Sequence, residues 1–350
     1  MTIVKIALLP LSMLYGIGVG IRNFLFNIRI LKSEEFSIPV ICVGNITVGG
    51  TGKTPHTELL LSELQSDFRV ACLSRGYKRK TSGFVLANEK STARDIGDEP
   101  MQIKRKFPNV IVAVDEKRAR GIHKLLTLPQ RPEVIILDDA FQHRYVKAGK
   151  NIVLIDYNRP VFKDCLLPMG RLRETPDALK RADYLIVSKC PADLPPIERR
   201  LLAKHLRVKP YQQLFLTTME YGGIKSLTPG QKTPTPGKDS AILCFTGIAC
   251  PDPYFQHLRK YTRNITEIRF PDHYNFIDSD FRNILDTFND IYNPEKYIFT
   301  TEKDVARLLA CSLPEELKKH IYYIPIEPEF LSKKEILINE LKDYVTKNKR

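Results

Sequence analysis

The chain has 350 residues, enough for two domains with substantial cores. Its 54 Lys and Arg against 40 Asp and Glu give a net charge of +14, which favours an anionic partner such as an anionic lipid or a phosphorylated substrate. Nucleic acid is not expected, because the sequence has no arginine-rich tract, zinc-finger spacing or RNP-like aromatic motif. Seven scattered cysteines without a C-x-x-C pair are typical of reduced thiols in the cytosol.

The first predicted element is an apolar segment at the N-terminus. The run 6–21 is uncharged and mostly apolar, and no acidic residue precedes Glu34. Basic residues flank or follow the run: Lys5, Arg22, Arg29 and Lys32. The run is shorter than the roughly 20 residues that span a bilayer. We therefore predict that residues 1–32 form a membrane-associated helical segment, lying shallowly with its basic residues toward lipid phosphates. The alternative is a buried N-terminal helix that caps the core.

A nucleotide-binding loop follows. The apolar run that starts at Ile41 ends in a glycine-rich loop closed by Gly-Lys-Thr, a pattern typical of a phosphate-binding P-loop. Its predicted nucleotide-binding residues are Thr47, Val48, Gly49, Gly50, Thr51, Gly52, Lys53 and Thr54. Lys53 is expected to reach the β- and γ-phosphates, and the Thr54 hydroxyl to hold Mg²⁺. Thr47 stands where such loops usually have their first glycine. The alternative is a glycine-rich turn before a helix.

The rest of the chain alternates between short apolar runs and helix-like segments, which predicts parallel sheets with crossover helices. The predicted strands are 39–44, 69–73, 109–113, 133–137, 152–156 and 183–187, then 241–245, 265–268, 297–300 and 321–324. A segment rich in proline and glycine separates the two sets. We therefore predict a P-loop domain at 33–210, a connector at 211–240 and a smaller α/β domain at 241–350.

Two adjacent aspartates end the fourth of these strands. Asp138 or Asp139 is expected to complete the Mg²⁺ shell with Thr54, usually through water. A second apolar run ends in Asp156, which competes for this role. A helix cap or turn is the structural alternative for any one of these carboxylates.

Several motifs in order along the chain identify a family. They are Leu73-Ser74-Arg75-Gly76-Tyr77, Gly97-Asp98-Glu99-Pro100, Leu137-Asp138-Asp139-Ala140-Phe141-Gln142-His143, Leu167-Pro168-Met169-Gly170-Arg171-Leu172-Arg173-Glu174, Phe270-Pro271-Asp272-His273-Tyr274 and Thr301-Glu302-Lys303-Asp304. With the P-loop, this set resembles the tetraacyldisaccharide 4'-kinase family, the lipid A 4'-kinases, up to about residue 310. Ala140 stands where the family often has glycine.

The resemblance implies a fold and an activity. The fold would be two α/β/α domains joined by a β-ribbon, with a P-loop NTPase-like parallel sheet in the first and a membrane-associated N-terminal helix. The activity would be ATP-dependent phosphorylation of the 4'-hydroxyl of tetraacyldisaccharide 1-phosphate, giving lipid IVA. We expect ATP and Mg²⁺ as cofactors, and a monomer on the anionic cytoplasmic surface of the bacterial inner membrane.

The resemblance also implies residue roles. Asp98 would be the general base for the sugar hydroxyl, with His273 as its orienting partner. Arg75 would neutralise charge on the γ-phosphoryl oxygens, for which a guanidinium is well shaped. Glu174 would reach the metal through water, and Asp139 would assist the metal or the hydroxyl. Four residues suit contacts to a phosphorylated sugar: Gln142, His143, Arg171 and Arg173.

Two other functions compete. A GTPase switch needs an Asp two residues after a Lys, yet Pro191 follows Lys189 and Val305 follows Lys303 at that distance. ATP is therefore favoured. A nucleotide-loaded, non-catalytic membrane adaptor would have no need of the base at Asp98.

Overall fold

The computed structural model describes residues 7–228, 230–272, 274–309, 311 and 313–348, and all statements below concern these residues. The strands are β1 (Val40–Asn45), β2 (Val70–Ser74), β3 (Val85–Leu86), β4 (Ile111–Val114), β5 (Val134–Asp138), β6 (Lys150–Asp156), β7 (Tyr184–Ser188), β8 (Gln213–Tyr221), β9 (Lys225–Ser226), β10 (Ala241–Thr246), β11 (Ile265–Arg269), β12 (Lys296–Thr301), β13 (Ile321–Ile324) and β14 (Ile326–Phe330). Each predicted strand is confirmed, with bounds that move by at most two residues.

Helices alternate with these strands. They are α1 (Leu9–Asn27), α2 (Lys53–Leu64), α3 (Ala93–Ile96), α4 (Asp98–Lys106), α5 (Arg118–Leu126), α6 (Pro196–His205), α7 (Asp252–Leu258), α8 (Asp278–Asn289), α9 (Glu302–Leu308), α10 (Glu315–Lys318) and α11 (Lys334–Asn348). Short 3₁₀ helices lie at Val161–Lys163 and Pro176–Arg181.

Among the described residues, the first sheet has nine strands in the order β14-β8-β7-β6-β1-β5-β2-β4-β3. The strands from β8 to β4 in this order are parallel, and the two edge strands β14 and β3 are antiparallel to their neighbours. Every residue of β1, β2, β5 and β7 is buried, because helices cover both faces of the sheet. The carboxyl ends of these strands meet at one edge, where open α/β sheets bind their ligands.

In the described part of the chain, the second sheet has five strands in the order β11-β10-β12-β13-β9. Its first four strands are parallel, and β9 is antiparallel to β13. The core between this sheet and α8 is rich in aromatic side chains: Phe245, Phe276, Phe281 and Phe288. The two-sheet α/β fold with an apolar N-terminal helix agrees with the fold class expected from the sequence.

The sheets divide the chain differently from the predicted domain ranges. Strand β8 lies in the predicted connector but pairs with β7, so it extends the first sheet. Strand β14 pairs antiparallel with β8, and α11 buries Leu337 and Leu341 in the first core. The chain thus leaves the first sheet through β8 and returns through β14, and these two strands form the ribbon between the sheets. Residues 326–348 carry no recognisable motif, so nothing in the sequence distinguishes them from the predicted second domain.

Helix α1 is long and apolar enough to cross a membrane by length and composition, which is weak evidence by itself. Its large apolar side chains lie mostly on the surface: Leu9, Leu11, Met13, Leu14, Ile17, Ile21 and Phe24. Within α1 only Ser12 and Phe26 are buried. The buried-cap alternative therefore does not describe α1, because the core takes up almost none of its apolar surface.

Candidate active site

Strand β1 ends in the predicted phosphate loop at the carboxyl edge of the first sheet. Gly49 and Gly52 adopt φ values of +106° and +82°, a left-handed conformation that glycine accepts without strain. Helix α2 begins directly after Gly52, at Lys53. Within the described residues, no acceptor takes the backbone N–H groups of Gly50, Gly52 or Lys53. These donors and the positive end of α2 are available to an anion.

Buried side chains hold the loop in this shape. Asn45 Nδ2 donates to Thr51 Oγ1 at 2.8 Å, and Ser188 Oγ donates to the Thr51 carbonyl oxygen at 2.8 Å. Both Asn45 and Ser188 are fully buried. The loop is therefore fixed from β1 on one side and from β7 on the other, and little ordering remains to be done when an anion binds.

Lys189 adds a third contact. Its Nζ donates to the Gly50 carbonyl oxygen and lies 2.7 Å from Asp156 Oδ2. Asp156, the competitor for the metal role in the sequence, is thus engaged in holding this lysine. In the sequence, Lys189 stands out only as part of an incomplete guanine-binding motif. In the structure, its side chain lies under the phosphate loop.

A charged group forms where β5 ends beside the loop. Lys53 Nζ lies 3.5 Å from Asp139 Oδ1, and Arg173 Nη1 donates to both Asp139 oxygens at 3.0 and 3.1 Å. Burial opposes ionisation of Asp139, but Lys53 and Arg173 outweigh it and hold the pKa of this carboxyl below its usual value. Asp139 also adopts a positive φ of 47°, an uncommon conformation for a residue with a side chain.

Asp138 has a different environment. It is nearly fully buried, and Thr57 Oγ1 donates to its Oδ1 at 3.1 Å. Burial, together with the charges of Glu99 and Asp139, raises the pKa of Asp138 to about 7. Two adjacent carboxyls with pKa values displaced in opposite directions mark this strand end as a candidate functional site.

The donor set suits Mg²⁺ in the way that P-loop proteins use it. No group of three or more His, Cys, Asp and Glu side chains that could hold a metal occurs in the described ranges. Mg²⁺ needs no such cage, because it binds through one or two protein oxygens, water and substrate phosphates. A divalent cation beside Asp138 would offset the repulsion that its charge meets from Glu99 and Asp139.

Glu174 lies in a network of its own. It is fully buried; Arg22 Nη2 and Asn23 Nδ2 donate to its Oε1 at 3.0 and 2.9 Å, and Arg181 Nη2 donates to its Oε2. Both carboxylate oxygens are occupied by donors from α1 and from the 3₁₀ helix. These donors show what engages Glu174 within the protein, and the metal contact expected for it from the sequence stays a prediction.

Asp98 begins α4, and the second sheet reaches it through α9. Arg307 Nε donates to Asp98 Oδ2 at 2.9 Å, and Arg307 Nη1 donates to Asp304 Oδ1 at 2.8 Å. Arg105 of α4 donates to the Ala306 carbonyl oxygen at 3.1 Å. His273, the predicted partner of Asp98, lies outside the described residues.

A second salt-bridge network joins the same elements. Lys106 Nζ lies 2.7 Å from Glu58 Oε2 and 3.4 Å from Glu302 Oε1, so α4 contacts both the P-loop helix α2 and α9. Burial raises the pKa of Glu58, and the opposite charge of Lys106 works against that shift. Asp98 thus begins a helix whose other end is tied to the phosphate-loop helix and to the second sheet.

Arg75 follows β2, is exposed, and lines an open cleft of about 370 Å³ with Tyr77, Arg79 and Glu116. Of the predicted sugar contacts, Arg171 lines a cleft with the phosphate loop. Gln142 Nε2 donates to the Asn45 carbonyl oxygen at 2.7 Å.

Two further predicted contacts are held by the protein itself. His143 Nε2 hydrogen-bonds the Glu116 carbonyl oxygen at 3.0 Å, and Arg173 binds Asp139 as described above. The structure thus brings Lys53, Asp138, Asp139 and Arg173 together, and it connects Asp98 to them through the Glu99 charge and α4.

Sequence reasoning missed His56. This side chain is buried in α2; its Nδ1 lies 2.7 Å from the Gly52 carbonyl oxygen and its Nε2 lies 3.0 Å from Thr217 Oγ1. A proton on Nδ1 satisfies both contacts, since Nε2 then accepts from the threonine. His56 links the phosphate loop to β8, and no sequence motif marks it because Thr217 is far away along the chain.

The chain is similar to proteins of one family over nearly its whole length. A family model described as tetraacyldisaccharide-1-P 4'-kinase (LpxK) matches residues 4–346. A tetraacyldisaccharide 4'-kinase of Bacteroides fragilis is 49% identical over 98% of this chain and 94% of that relative. One from Parabacteroides distasonis is 48% identical over 95% of this chain and 92% of that relative.

A solved structure agrees with these sequence matches. The crystal structure of "apo" form LpxK from Aquifex aeolicus in complex with ATP is 29% identical in sequence to this chain. It superimposes with a TM-score of 0.76 and covers 99% of this chain and all of that one.

Proposed function

This chain belongs to the tetraacyldisaccharide 4'-kinase family, and we propose that its two sheets form a single kinase site, with ATP on the phosphate loop and the acceptor hydroxyl at Asp98. It is an ATP-dependent kinase that phosphorylates the 4'-hydroxyl of tetraacyldisaccharide 1-phosphate, giving lipid IVA in lipid A biosynthesis. The observation that carries the proposal is the convergence of α2, β5 and α4 at one sheet edge. Lys53, Asp138 and Asp98 begin or end these elements.

The phosphate loop binds the triphosphate of ATP. The N–H groups of Gly50, Gly52 and Lys53 point to no acceptor in the described chain and form the cradle. Lys53 exchanges part of its interaction with Asp139 for the β- and γ-phosphates, and Arg173 keeps Asp139 ionised and in place. The full set for the nucleotide is Thr47, Val48, Gly49, Gly50, Thr51, Gly52, Lys53 and Thr54.

Thr54 and Asp138 would hold Mg²⁺. When bound, the ion neutralises charge that develops on the transferred phosphoryl group. The pKa of Asp138 is raised by burial and by neighbouring carboxylates, so a cation beside it would lower this pKa and favour the ionised form. Arg75, which lines the open cleft after β2, would approach the γ-phosphoryl oxygens from that cleft.

Asp98 acts as the general base on the acceptor. A sugar hydroxyl is a weak nucleophile, so a carboxylate that aligns it and accepts its proton speeds transfer. The Arg307 guanidinium at 2.9 Å fixes the direction of the Asp98 carboxylate. His273 is the proposed partner of Asp98 on the basis of the family motif.

The test measures phosphoryl transfer from labelled ATP to the disaccharide 1-phosphate in detergent. Asp98→Asn and His273→Ala are each expected to lower kcat by about 10²- to 10⁴-fold, the range of general-base contributions, and to leave ATP binding intact. The double variant should lose little more than the worse single one, because groups that act as a unit are not additive.

Asp286→Asn is the matched control, since Asp286 is an exposed carboxylate on α8. Normal kcat in Asp98→Asn would remove the base from this position and make Asp139 the next candidate. Losses that simply add would show two independent roles for Asp98 and His273.

We also propose that α1 lies on the anionic cytoplasmic surface of the inner membrane, and that the chain works there as a monomer. More than half of each of the Leu14, Ile17 and Phe24 side chains is exposed, and the chain carries a net charge of +14. Apolar side chains with basic flanks are typical of interfacial helices. The ion pair between Arg22 and the buried Glu174 keeps one face of α1 on the protein.

The absence of tryptophan from the sequence permits a direct test. In Leu14→Trp, the emission should shift to the blue when phosphatidylglycerol vesicles are added, while Ile197→Trp, an exposed position on α6, should not respond. No shift at position 14 would contradict the membrane contact of α1. Sedimentation in detergent as a dimer would contradict the monomer.

A further inference from the structure

The segment between Asp164 and Glu174 lies between α1 and the phosphate loop. On the loop side, Val48 N–H donates to the Arg171 carbonyl oxygen at 2.8 Å, and Arg173 N–H donates to the Ile46 carbonyl oxygen at 2.7 Å. Thr47 and Leu172 form an antiparallel bridge at the same place. The segment therefore extends the backbone hydrogen bonding of the phosphate loop by one strand-like layer.

On its other side the same segment is bonded to α1. The Ser12 hydroxyl, buried at 4% exposure, lies within hydrogen-bond distance of the Leu166 carbonyl oxygen and 3.0 Å from that of Leu167. Tyr15 OH donates to the Arg173 carbonyl oxygen at 2.9 Å. Helix α1 thus reaches the phosphate loop through a single intervening layer of chain.

Glu174 is the charged anchor of this contact. Its carboxylate is fully buried and receives hydrogen bonds from Arg22 and Asn23 of α1 and from Arg181. The Arg181 guanidinium in turn lies over the Phe141 ring, 4.4 Å from its centroid. A change at Glu174 removes the carboxylate that both arginines bind, whereas a change at Arg22 leaves Glu174 with Arg181 and Asn23.

The preceding residue connects the anchor to the chemistry. Arg173 binds both oxygens of Asp139, which lies 3.5 Å from Lys53. Consecutive side chains therefore point to opposite sides: Arg173 to the strand-end carboxylate and Glu174 to α1. A displacement of α1 would shift both together.

We propose that Glu174 is a positioning residue, which docks α1 onto the catalytic edge and through Arg173 sets Asp139 and Lys53 for phosphoryl transfer. This rests on the kinase function proposed above. The lipid-facing helix α1 and the phosphate site then move together, so that docking of α1 on the protein and alignment of Asp139 and Lys53 accompany each other. Glu174 has this role in place of the metal role that its motif suggested.

The experiment compares Glu174→Gln, Arg22→Gln and the double variant in the detergent kinase assay, with ATP and Mg²⁺ varied separately. Misplacement of catalytic groups by about 1 Å costs on the order of 100-fold in rate, so we expect each single change to lower kcat by roughly 10- to 100-fold. The KM for ATP and the Mg²⁺ concentration at half-maximal rate should stay within about twofold, because the cradle itself is intact. Arg22→Lys should restore part of kcat.

The outcomes separate the alternatives. A tenfold higher Mg²⁺ requirement in Glu174→Gln but not in Arg22→Gln would overturn the proposal and make Glu174 a metal ligand. Losses of kcat that add in the double variant, or unchanged kcat in both singles, would also overturn it. If Glu174→Gln does not fold, Arg22→Gln and Arg22→Lys still decide, since Arg22 is on a mostly exposed helix. A wild-type protein that fails to phosphorylate the lipid would instead overturn the proposed function.

Discussion

In each sheet, a strand that lies between parallel neighbours is followed by a glycine-containing loop and then a helix. These strands are β1 and β10, and the backbone N–H groups of the two loops differ in whether they have an acceptor within the protein. After β1, the N–H groups of Gly50, Gly52 and Lys53 find no acceptor in the described chain. After β10, Gly247 N–H donates to Asp304 Oδ2 at 3.0 Å, and Arg307 donates to the Gly247 carbonyl oxygen at 2.8 Å. In the second loop, the Asp304 carboxylate accepts the hydrogen bond from the backbone N–H. In the first loop, the N–H groups remain available to an anion that binds from solution.

The difference shows that the strand–loop–helix arrangement does not by itself make a phosphate site. Asp304 is fully buried, and its hydrogen bonds from Thr301, Arg307 and Gly247 satisfy the loop internally. The buried loop of the second sheet is thereby turned into a rigid support for Arg307, which reaches Asp98. The first sheet supplies the nucleotide site, and the second sheet supplies Arg307, which holds the proposed base Asp98 in position.

The largest expected effect concerns the internal anion of the second loop. Asp304→Ala would leave Arg307 buried without its nearest carboxylate, so we expect a loss of about 3–5 kcal/mol in the free energy of unfolding. Urea unfolding followed by circular dichroism measures this loss. Asp252→Ala, at an exposed carboxylate that begins α7, is the control. An unfolding midpoint equal to that of the wild type would show that Asp304 does not hold the loop.

In the first loop, the corresponding change should affect turnover and spare stability. Lys53→Ala removes the cation that meets the phosphates, and we expect kcat to fall by about 10²- to 10³-fold, as for other electrostatic groups at a transition state. Steady-state transfer of labelled phosphate measures it, with Lys124→Ala on the exposed face of α5 as control. Near-normal kcat would mean that the loop is not the catalytic phosphate site.

Arg307→Lys tests the connection between the two loops. Lysine keeps the charge but cannot bind Asp98, Asp304 and Gly247 at once. We expect kcat to fall by about tenfold, or 1.4 kcal/mol, with the KM for ATP unchanged. The same kinetic assay with Arg282→Lys, an exposed arginine on α8, as control checks this. A change in the KM for ATP alone would place Arg307 in nucleotide binding.

The smallest expected effect is a pH dependence of stability that arises from His56, which contacts the first loop. Burial lowers the pKa of His56 from 6.5 to about 4, although its contact with Gly52 works in the other direction. The folded state thus binds this proton more weakly than the unfolded state. Its contribution to stability is complete above pH 6.5 and is lost as the pH falls toward 4.

Between pH 6.5 and 5.5 this loss amounts to about 1 kcal/mol for a single group. His56→Gln retains a donor and an acceptor but does not titrate, so its urea midpoint should vary less with pH over this range. Parallel midpoint curves for the variant and the wild type would contradict the assignment. His205, which is not buried, provides the control variant His205→Gln.

Ten of the strands and the position of the phosphate loop could be predicted from the amino-acid sequence. Buried parallel strands are continuous apolar runs, and a loop rich in glycine after such a run needs no distant partner to be recognised. The family motifs could also be recognised in the sequence, and the comparisons confirm the activity that they implied. The exposed apolar face of α1 also follows from its composition.

Which charged groups meet depends on the folded chain. Glu174 and Arg22, Asp98 and Arg307, and His56 and Thr217 are each separated by more than a hundred residues along the chain. The return of β14 and α11 to the first sheet was equally invisible, since pairing of β14 with β8 depends on two backbones coming together rather than on any motif. A motif states which chemistry a residue can perform, but the partner that orients or neutralises it is chosen by packing, because Coulomb and hydrogen-bond energies depend on distances that only the folded chain sets.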